Sequence, residues 1–258
     1  MSELFSIQLQ NRQQQGRDGV WLDLPTTTEQ VQAALRQIGI SSDNPQGLFI
    51  SGYFAEEEKR FAISYNMVLA SNVDELNFLA SRLETLSTGE RAELNAALQA
   101  PQSELFSIGR ITDFPENVDY YVHLPDVHGP AQLGDYYLNR SGMVNMPEEW
   151  KGGIDTAQFG RYVAQQEQGV FTEYGYLVKS GDAWQKVHEG QPVPEEYRVL
   201  SFPAPEVLRD LANIPPPVQP ETEPQKVIPI ILNGKDSAER MKEITDRLET
   251  GIQQLFDS

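Results

Sequence analysis

Two histidines and an aspartate lie close together in the segment HLPDVH, and these residue types can bind a metal ion. His123 and His128 flank Asp126, and imidazoles combined with a carboxylate form a ligand set for transition metals. However, a five-residue spacing across a proline is not an established ligand spacing, and the remaining histidine, His188, is far away in the sequence. We therefore interpret His123 and His128 as strand-end and loop residues, and the sequence predicts no metal site and no cofactor.

Pairs of carboxylates are a second source of chemistry, because two of them can act as acid and base on a glycosidic bond. The chain has 38 Asp and Glu among 258 residues, so some pair is close by chance and none stands out. The sequence contains no GxSxG, glycine-rich phosphate loop or HExxH motif. It also has no cysteine, which excludes a cysteine nucleophile and Cys-ligated zinc. We predict that the protein is not an enzyme, with a hydrolase that uses an acid pair as an open alternative.

The charge balance is strongly acidic. Lys and Arg number 20 against 38 Asp and Glu, which gives a formal net charge of −18 and a sequence pI of about 4.5. A nucleic-acid binder would show a basic stripe and a binder of anionic membranes a cationic face, so we expect direct binding to neither. The sequence shows no signal-peptide pattern and no window near the roughly 18 apolar residues of a membrane span. We therefore expect a cytoplasmic protein.

Two stretches that are predicted to fold are markedly acidic. Residues 18–58 contain seven acids against Arg36 alone, and residues 112–158 contain eight acids against Arg140 and Lys151. One interpretation is a solvated surface that keeps the protein soluble. The other interpretation is that carboxylates on a folded scaffold imitate the regularly spaced phosphates of duplex DNA.

Local patterns predict an N-terminal α+β unit. Alternating apolar residues predict strands over 3–9, 20–24 and 48–54. Apolar residues at i, i+3, i+4 and i+7 predict an amphipathic helix over 27–38. Thr26 and Glu29 have the spacing of a capping box at its start, and Gly39 is typical of its end.

A helical segment and further elements follow. Leucine spacing predicts one helix that begins at Ser71 or Asn72, and a Ser87/Glu90 capping box predicts the next, so that 72–101 forms a helical hairpin. The later predicted elements are a strand over 118–124, helices over 131–140 and 155–168 with a loop or broken helix between them, and a strand over 170–178. Residues 181–213 are predicted to add a strand pair and a helix over 205–213.

Prolines separate the last part of the chain from the rest. Six of them between 215 and 229 predict a stiff, polyproline-like linker over 214–229. The remaining residues, 230–258, are predicted to form a short strand and an amphipathic helix. The apolar stripe of that helix needs a surface to cover, either elsewhere in the protein or on another chain.

Three segments, in the same order, resemble the ArdA-type antirestriction proteins of conjugative elements. They are GVWLDLPTTTEQVQAALRQIGI (19–40), VDELNFLASRLETLSTGERAELNAAL (73–98) and LGDYYLNRSGMVNMPEEWKGGIDTAQFGRYVAQQEQGVFTEYGYLV (133–178), and together they span roughly residues 1–180. The third is the most specific, with LGDYYLNRSG, MPEEW and IDTAQFGRYV. The last stretch, 236–258, resembles the opening helix of ArdC-type antirestriction proteins.

The resemblance implies an elongated, acidic α+β protein. Its three small domains would be an α+β domain over 1–71, a helical domain over 72–110 and an α+β domain over 111–180 that holds the antirestriction motif and the dimer contact. The C-terminal part would comprise an extension (181–213), the proline-rich linker (214–229) and the strand and helix (230–258).

The resemblance also implies a DNA mimic without catalytic activity. Family members dimerise, occupy the DNA-binding groove of type I restriction–modification enzymes and block restriction, and often modification. The expected partners are therefore the methyltransferase core of such an enzyme and a second copy of this chain. The carboxylates expected to form the DNA-like surface are Asp23, Glu29, Asp43, Glu56, Glu57, Glu58, Asp74, Glu75, Glu84, Glu90, Asp113, Glu116, Asp119, Asp126 and Asp135.

The family's antirestriction motif falls on about 141–155 of this sequence, near the implied dimer contact. Its acids and packing residues would be Met146, Glu148, Glu149, Trp150 and Asp155. Two further functions stay open. An acidic adaptor would recruit a partner through 214–229 and 230–258, and a DNA mimic could be directed at another DNA-binding target.

Overall fold

The computed structural model describes residues 3–14, 18–40, 47–57 and 60–200. Within them, the chain divides into two compact units. Unit 1 contains 3–98, 102–117 and 185–200, and unit 2 contains 99–101 and 118–184. Helices and antiparallel sheets are both present, which confirms the predicted α+β class. The domain boundaries drawn from the sequence stay a prediction; the first predicted domain and most of the second fall within unit 1.

Unit 1 contains a three-stranded antiparallel sheet. Its strands are β1 (Phe5–Asn11), β2 (Val20–Leu24) and β3 (Leu48–Phe54), in the order β2-β1-β3. The core-facing positions of the sheet are Ile7, Leu9, Leu22, Leu24 and Ile50, all of them buried. Because side chains alternate along a strand, the positions between them point the other way. The three predicted strands are confirmed, although β1 begins and ends two residues later than predicted.

Helix α1 (Thr28–Gln37) packs against β2. The helix is confirmed, but its capping box lies one residue later than predicted. Thr27 is the N-cap and bonds reciprocally with Gln30, whereas the predicted pair was Thr26 and Glu29. Thr26 is buried, and its backbone N–H donates to Oδ1 of Asn77 at 2.7 Å. Position 26 therefore joins the end of β2 to a helix far along the chain and is not free to cap α1.

Four more α-helices follow in the described residues. They are α2 (Tyr65–Leu69), α3 (Val73–Glu84), α4 (Thr88–Gln99) and α5 (Ile108–Thr112). Asn72 caps α3 through a capping box with Glu75. Ser87 and Glu90 exchange the two hydrogen bonds of the predicted box at the start of α4. Both predicted helices and their short connection are thus confirmed, and α3 packs against α5 and β2.

Unit 2 contains a second antiparallel sheet. Its strands are β4 (Tyr121–Leu124), β5 (Val170–Thr172) and β6 (Gly175–Lys179), in the order β4-β6-β5. The single strand predicted over 170–178 is wrong, because the chain reverses there: Gly175 has a φ of 118° and accepts a hydrogen bond from the Thr172 hydroxyl. The strand predicted over 118–124 is too long. Residues 118–120 form a 3-10 turn, since the partner strand β6 ends at Lys179, opposite Tyr121.

The described residues of unit 2 also form three α-helices. They are α6 (Pro130–Asp135), which continues into a π-helical turn over Tyr136–Arg140, α7 (Glu148–Lys151) and α8 (Thr156–Glu167). The helices predicted over 131–140 and 155–168 are confirmed. The buried core of the unit consists of Val127, Leu133, Tyr137, Val163 and Tyr176.

The strand pair predicted after residue 181 is wrong for the described part, 181–200, where a 3-10 turn over Glu195–Tyr197 is the regular element. Side chains hold this segment in place of a strand ladder: Asn117, Asp113 and Asp74 bond its backbone N–H groups. The predicted helix over 205–213, the linker over 214–229 and the elements over 230–258 lie outside the described residues. Among the helices that are described, none is both long and apolar enough to span a membrane.

Candidate functional site: the acidic surface and the motif segment

Four of the ten described acids that were predicted for the surface of unit 1 are exposed: Asp23, Glu29, Glu56 and Glu57. Four more are half-buried: Glu75, Glu84, Glu90 and Glu116. Hydrogen bonds from its own backbone N–H and from Thr27 lower the pKa of Glu29. The hydroxyl and backbone N–H of Ser87 likewise lower the pKa of Glu90. Helix starts therefore keep these two carboxylates ionised. Asp43 and Glu58 lie outside the described residues.

Asp74 and Asp113 do not belong to the acidic surface, and this part of the prediction is wrong. Both are buried. The backbone N–H groups of Val199 and Leu200 donate to Oδ1 of Asp74 at 2.7 and 2.5 Å. Asp113 accepts at 2.6 Å from the N–H of His188 and at 3.2 Å from that of Glu189. The physical reason is that the irregular segment 188–200 has no ladder of its own, so its buried N–H groups need side-chain acceptors.

In unit 2, Asp119 and Asp126 are exposed, and Asp135 is partly covered. Asp135 accepts hydrogen bonds from Asn139 at 2.9 Å and from Arg140 at 2.6 Å. These contacts, the Asn139 amide first, lower the pKa of Asp135. Asp135 is therefore ionised but partly neutralised by its neighbour, whereas Asp119 and Asp126 present their charge to solvent.

The predicted motif segment contains short helix α7 and the start of α8. Glu148 and Glu149 are exposed, Met146 is half-buried, and the indole of Trp150 is 64% exposed. Lys151 pairs with Glu148 at 2.7 Å. The exposed indole directly follows the two exposed carboxylates in the chain.

Asp155, the last acid of the motif segment, has a structural role. Its Oδ1 accepts hydrogen bonds from the backbone N–H groups of Ala157 and Gln158 at 2.8 and 3.0 Å. It is therefore the N-cap of α8, a position where aspartate is strongly preferred.

Two glycines of the segments that carry the resemblance bring α6 and α8 into backbone contact. A Cβ at Gly134 would lie 1.9 Å from the carbonyl oxygen of Thr156, and one at Gly160 would lie 1.8 Å from that of Pro130. Only glycine permits such a close approach. Part of the similarity in LGDYYLNRSG and IDTAQFGRYV therefore reflects helix packing and not a binding surface.

A half-buried carboxylate that the sequence did not single out, Glu167, lies at the end of α8. Glu167 accepts hydrogen bonds from the hydroxyls of Tyr137 and Tyr176, the second at 2.9 Å. Burial raises the pKa of Glu167, although the two hydroxyl contacts oppose the change. Burial and the neighbouring carboxylate raise the pKa of both tyrosines. The sequence gives little indication of this group of three side chains, because only the fold brings them together.

The histidines have structural contacts. Nε2 of His123 lies 2.7 Å from the carbonyl oxygen of Tyr174 and donates to it, and His128 is exposed in the loop after β4. Asp113, Glu116 and His188 bring their ligand atoms within 4.8 Å of one another, a grouping that the sequence did not suggest. Asp113 is bound by backbone amides and Glu116 by Arg82, so protein groups already partner both carboxylates and we assign no ion to them.

The fold and the surface define an acidic α+β protein whose exposed carboxylates lie on regular elements and on the loops that join them. Residues 15–178 match the family model described as antirestriction protein (ArdA). This is more than half of the chain, so the protein belongs to the ArdA antirestriction family. The family inhibits restriction–modification enzymes without catalysis of its own. No individually curated protein matches the chain. The ArdC-like stretch, 236–258, is outside both the match and the described residues and stays a prediction.

Proposed function

We propose that the protein imitates B-form DNA, occupies the DNA-binding groove of a type I restriction–modification enzyme and blocks restriction by competition. The observation that carries this proposal is the charge of the described surface. Its exposed carboxylates are Glu3, Asp18, Asp23, Glu29, Glu56, Glu57, Asp119, Asp126, Glu148, Glu149, Asp155, Glu173, Glu195 and Glu196. Its exposed cationic side chains are Arg12, Arg36, Arg60, Arg140, Arg161, Lys179, Lys186 and Arg198. The carboxylates are in clear excess.

The position of the carboxylates supports mimicry over simple solubility. Glu29 is in the first turn of α1, Asp23 is on β2 and Glu148 begins α7. Charges fixed on regular elements are preorganised, so little entropy is lost when they meet the Lys and Arg side chains that ordinarily hold phosphates. Complementary charge also accelerates the encounter of the two proteins.

A second copy of the chain is part of the proposal. A homodimer would double the acidic surface, and the exposed Trp150 with Glu148 and Glu149 supports a contact in the motif segment. Inhibition by occupancy needs no turnover and no cofactor.

The test is a competition experiment. The protein is titrated into a type I methyltransferase core that holds a labelled cognate duplex, at about 50 and 200 mM salt, and fluorescence anisotropy reports the released duplex. We expect displacement at near-stoichiometric protein, weaker at the higher salt. A matched control carries carboxamides at four exposed acids, Glu56→Gln, Glu57→Gln, Asp119→Asn and Asp126→Asn, and should displace less. Failure of the natural chain to release the duplex at either salt would overturn the proposal for that enzyme.

Deletion of 214–258 separates the mimic from the adaptor. A mimic keeps its ability to displace the duplex, because the charged surface of both units remains. An adaptor that recruits its partner through the linker and the last helix loses its function. The same titration against an unrelated DNA-binding protein separates a mimic with another target from one directed at restriction enzymes.

A further inference from the structure

The outer face of the unit 1 sheet carries two exposed aromatic rings. Trp21 on β2 and Phe54 at the end of β3 are 49% and 57% exposed, and their rings meet edge to face with centroids 6.4 Å apart. Gln8 on β1 lies opposite both Trp21 and Gly52. A Cβ at Gly52 would lie 3.1 Å from Cη2 of Trp21. The glycine therefore makes room for the indole to reach across the sheet towards Phe54.

One carboxylate shares the outer face with the two rings, and two more follow Phe54 in the chain. Asp23 and Phe54 lie opposite Ser6 in the neighbouring row of the sheet, and the Ser6 hydroxyl donates to Asp23 at 2.8 Å. Glu56 and Glu57 come directly after the end of β3 and are exposed. The described residues 18–24 and 52–57 contain no Lys or Arg. The surface thus combines aromatic rings with several negative charges, and we call Trp21, Asp23, Phe54, Glu56 and Glu57 the aromatic-acidic face.

We infer that the aromatic-acidic face binds arginine side chains of a basic protein surface, namely the DNA-binding surface of the restriction enzyme. A guanidinium group is planar, stacks on an indole and forms paired hydrogen bonds with a carboxylate. Trp21 with Asp23 on one strand offers both contacts. The inference rests on the proposed function and adds to it a contact that charge alone does not supply.

Charge complementarity decides between the possible occupants of this face. Nucleic acid and an anionic membrane both carry negative charge, which the carboxylates of the face repel. A second copy of the same face would place like charges against each other. An arginine-rich surface neutralises the carboxylates and covers the exposed rings at the same time. Isolated exposed aromatic side chains are common, but here two rings in edge-to-face contact share one face with Asp23, and two further exposed carboxylates follow in the chain.

Two measurements on the same complex test the inference. Hydroxyl-radical footprinting with mass spectrometry is applied to the natural chain, alone and bound to the methyltransferase core. We expect protection of Trp21 and Phe54 on binding and unchanged oxidation of Tyr162, an exposed aromatic residue on α8 of unit 2. Because this measurement uses no variant, it does not depend on whether a substituted chain folds.

The second measurement is duplex displacement by variants of matched charge. Trp21→Ala should raise the concentration for half-displacement about 5- to 30-fold, while the salt dependence stays the same because no charge is removed. Tyr162→Ala should match the natural chain. Trp21→Leu keeps an apolar side chain without a π face and should behave like Trp21→Ala.

The outcomes separate the inference from the function on which it rests. If the natural chain displaces the duplex but Trp21 stays unprotected and Trp21→Ala equals Tyr162→Ala, the inference is overturned and the mimic stands. If Trp21→Leu retains full activity, the contact is apolar and the arginine assignment is wrong. Protection that arises in the protein alone as its concentration rises would instead assign the face to a second copy. Failure of the natural chain to displace the duplex overturns both.

Discussion

Unit 1 and unit 2 fix their chains with different buried groups. In unit 1, the carboxylates of Asp74 and Asp113 accept hydrogen bonds from backbone N–H groups of the segment 188–200. In unit 2, two helices touch at Gly160, and the half-buried carboxylate of Glu167 accepts from the hydroxyls of two buried tyrosines. The chain path fixes the direction of a backbone N–H, whereas a hydroxyl can rotate. The unit 1 carboxylates therefore determine where a segment runs, while Glu167 completes a core whose geometry the helix contact sets.

The largest loss of stability confined to one unit is expected for a substitution at Gly160. In Gly160→Ala, the new methyl group meets the carbonyl oxygen of Pro130 at 1.8 Å, so α6 and α8 must move apart. We expect a loss of at least about 3 kcal/mol in the free energy of unfolding, because overpacking against rigid backbone cannot be relieved by a side-chain rotation. Urea unfolding measures the change in the free energy of unfolding. Hydrogen exchange should show that the backbone amides that exchange faster lie in unit 2.

Gly152→Ala is the matched control for this substitution. Gly152 follows α7 with a φ of −64°, and a Cβ at this position would have no other atom within 4 Å, so alanine should be tolerated. Equal stability of Gly160→Ala and Gly152→Ala would show that the helices do not depend on the glycine contact.

The next effect concerns unit 1. Asp113→Ala removes the acceptor of two backbone N–H groups in a fully buried site, and unsatisfied buried donors cost about 1–3 kcal/mol each. We expect a loss of about 2–4 kcal/mol, with faster amide exchange at His188 and Glu189 and no change in unit 2. Asp113→Asn keeps one carbonyl acceptor and should lose less. If the backbone amides of unit 2 exchanged faster instead, Asp113 would not act within unit 1 alone, and the contrast between the two units would be wrong.

Local patterns in the sequence were sufficient for most of the helices. The amphipathic spacing of α1 and α3 and the Ser87/Glu90 box are signals within one or two turns, and the structure confirms them. Elements that depend on distant partners were not predictable. The strand pair predicted after residue 181 is replaced by a segment pinned to side chains up to 126 residues earlier in the sequence.

The same limit applies to the candidate site. A count of acids cannot distinguish Glu57, which is exposed, from Asp74, which anchors a segment 125 residues away. Asp155 resembles a motif acid but caps α8, and an aspartate directly before an amphipathic helix is a typical N-cap signal. Gly134 and Gly160 contributed to the family resemblance, but their role depends on a crossing of two helices that spacing does not reveal.

A pH-dependent effect is expected for unit 2. Burial raises the pKa of Glu167 above its ordinary value of 4.5. Between that value and the higher pKa of the folded state, the unfolded chain has released its proton and the folded chain has not, so the free energy of unfolding falls as pH rises. Glutamine does not titrate. The stability of the natural chain relative to Glu167→Gln should therefore be greatest below pH 4.5 and decline until Glu167 ionises in the folded state.

Urea unfolding of the natural chain and Glu167→Gln from about pH 4 to pH 8 measures this difference. Glu149→Gln, which removes an exposed carboxylate from the same unit, is the control. A stability difference between the natural chain and Glu167→Gln that does not change with pH would contradict the prediction.

The smallest effects are expected for single exposed carboxylates, and they complete the contrast with the buried ones. Glu57→Gln in unit 1 and Asp126→Asn in unit 2 should leave the free energy of unfolding within about 0.5 kcal/mol. Each should weaken duplex displacement by about 0.2–1 kcal/mol, as for exposed ion pairs. The double variant should lose about the sum if each carboxylate meets its own cation on the enzyme. A mimic distributes its binding over many charges, so loss of displacement from either single carboxamide would point to one dominant contact instead of an imitated phosphate backbone.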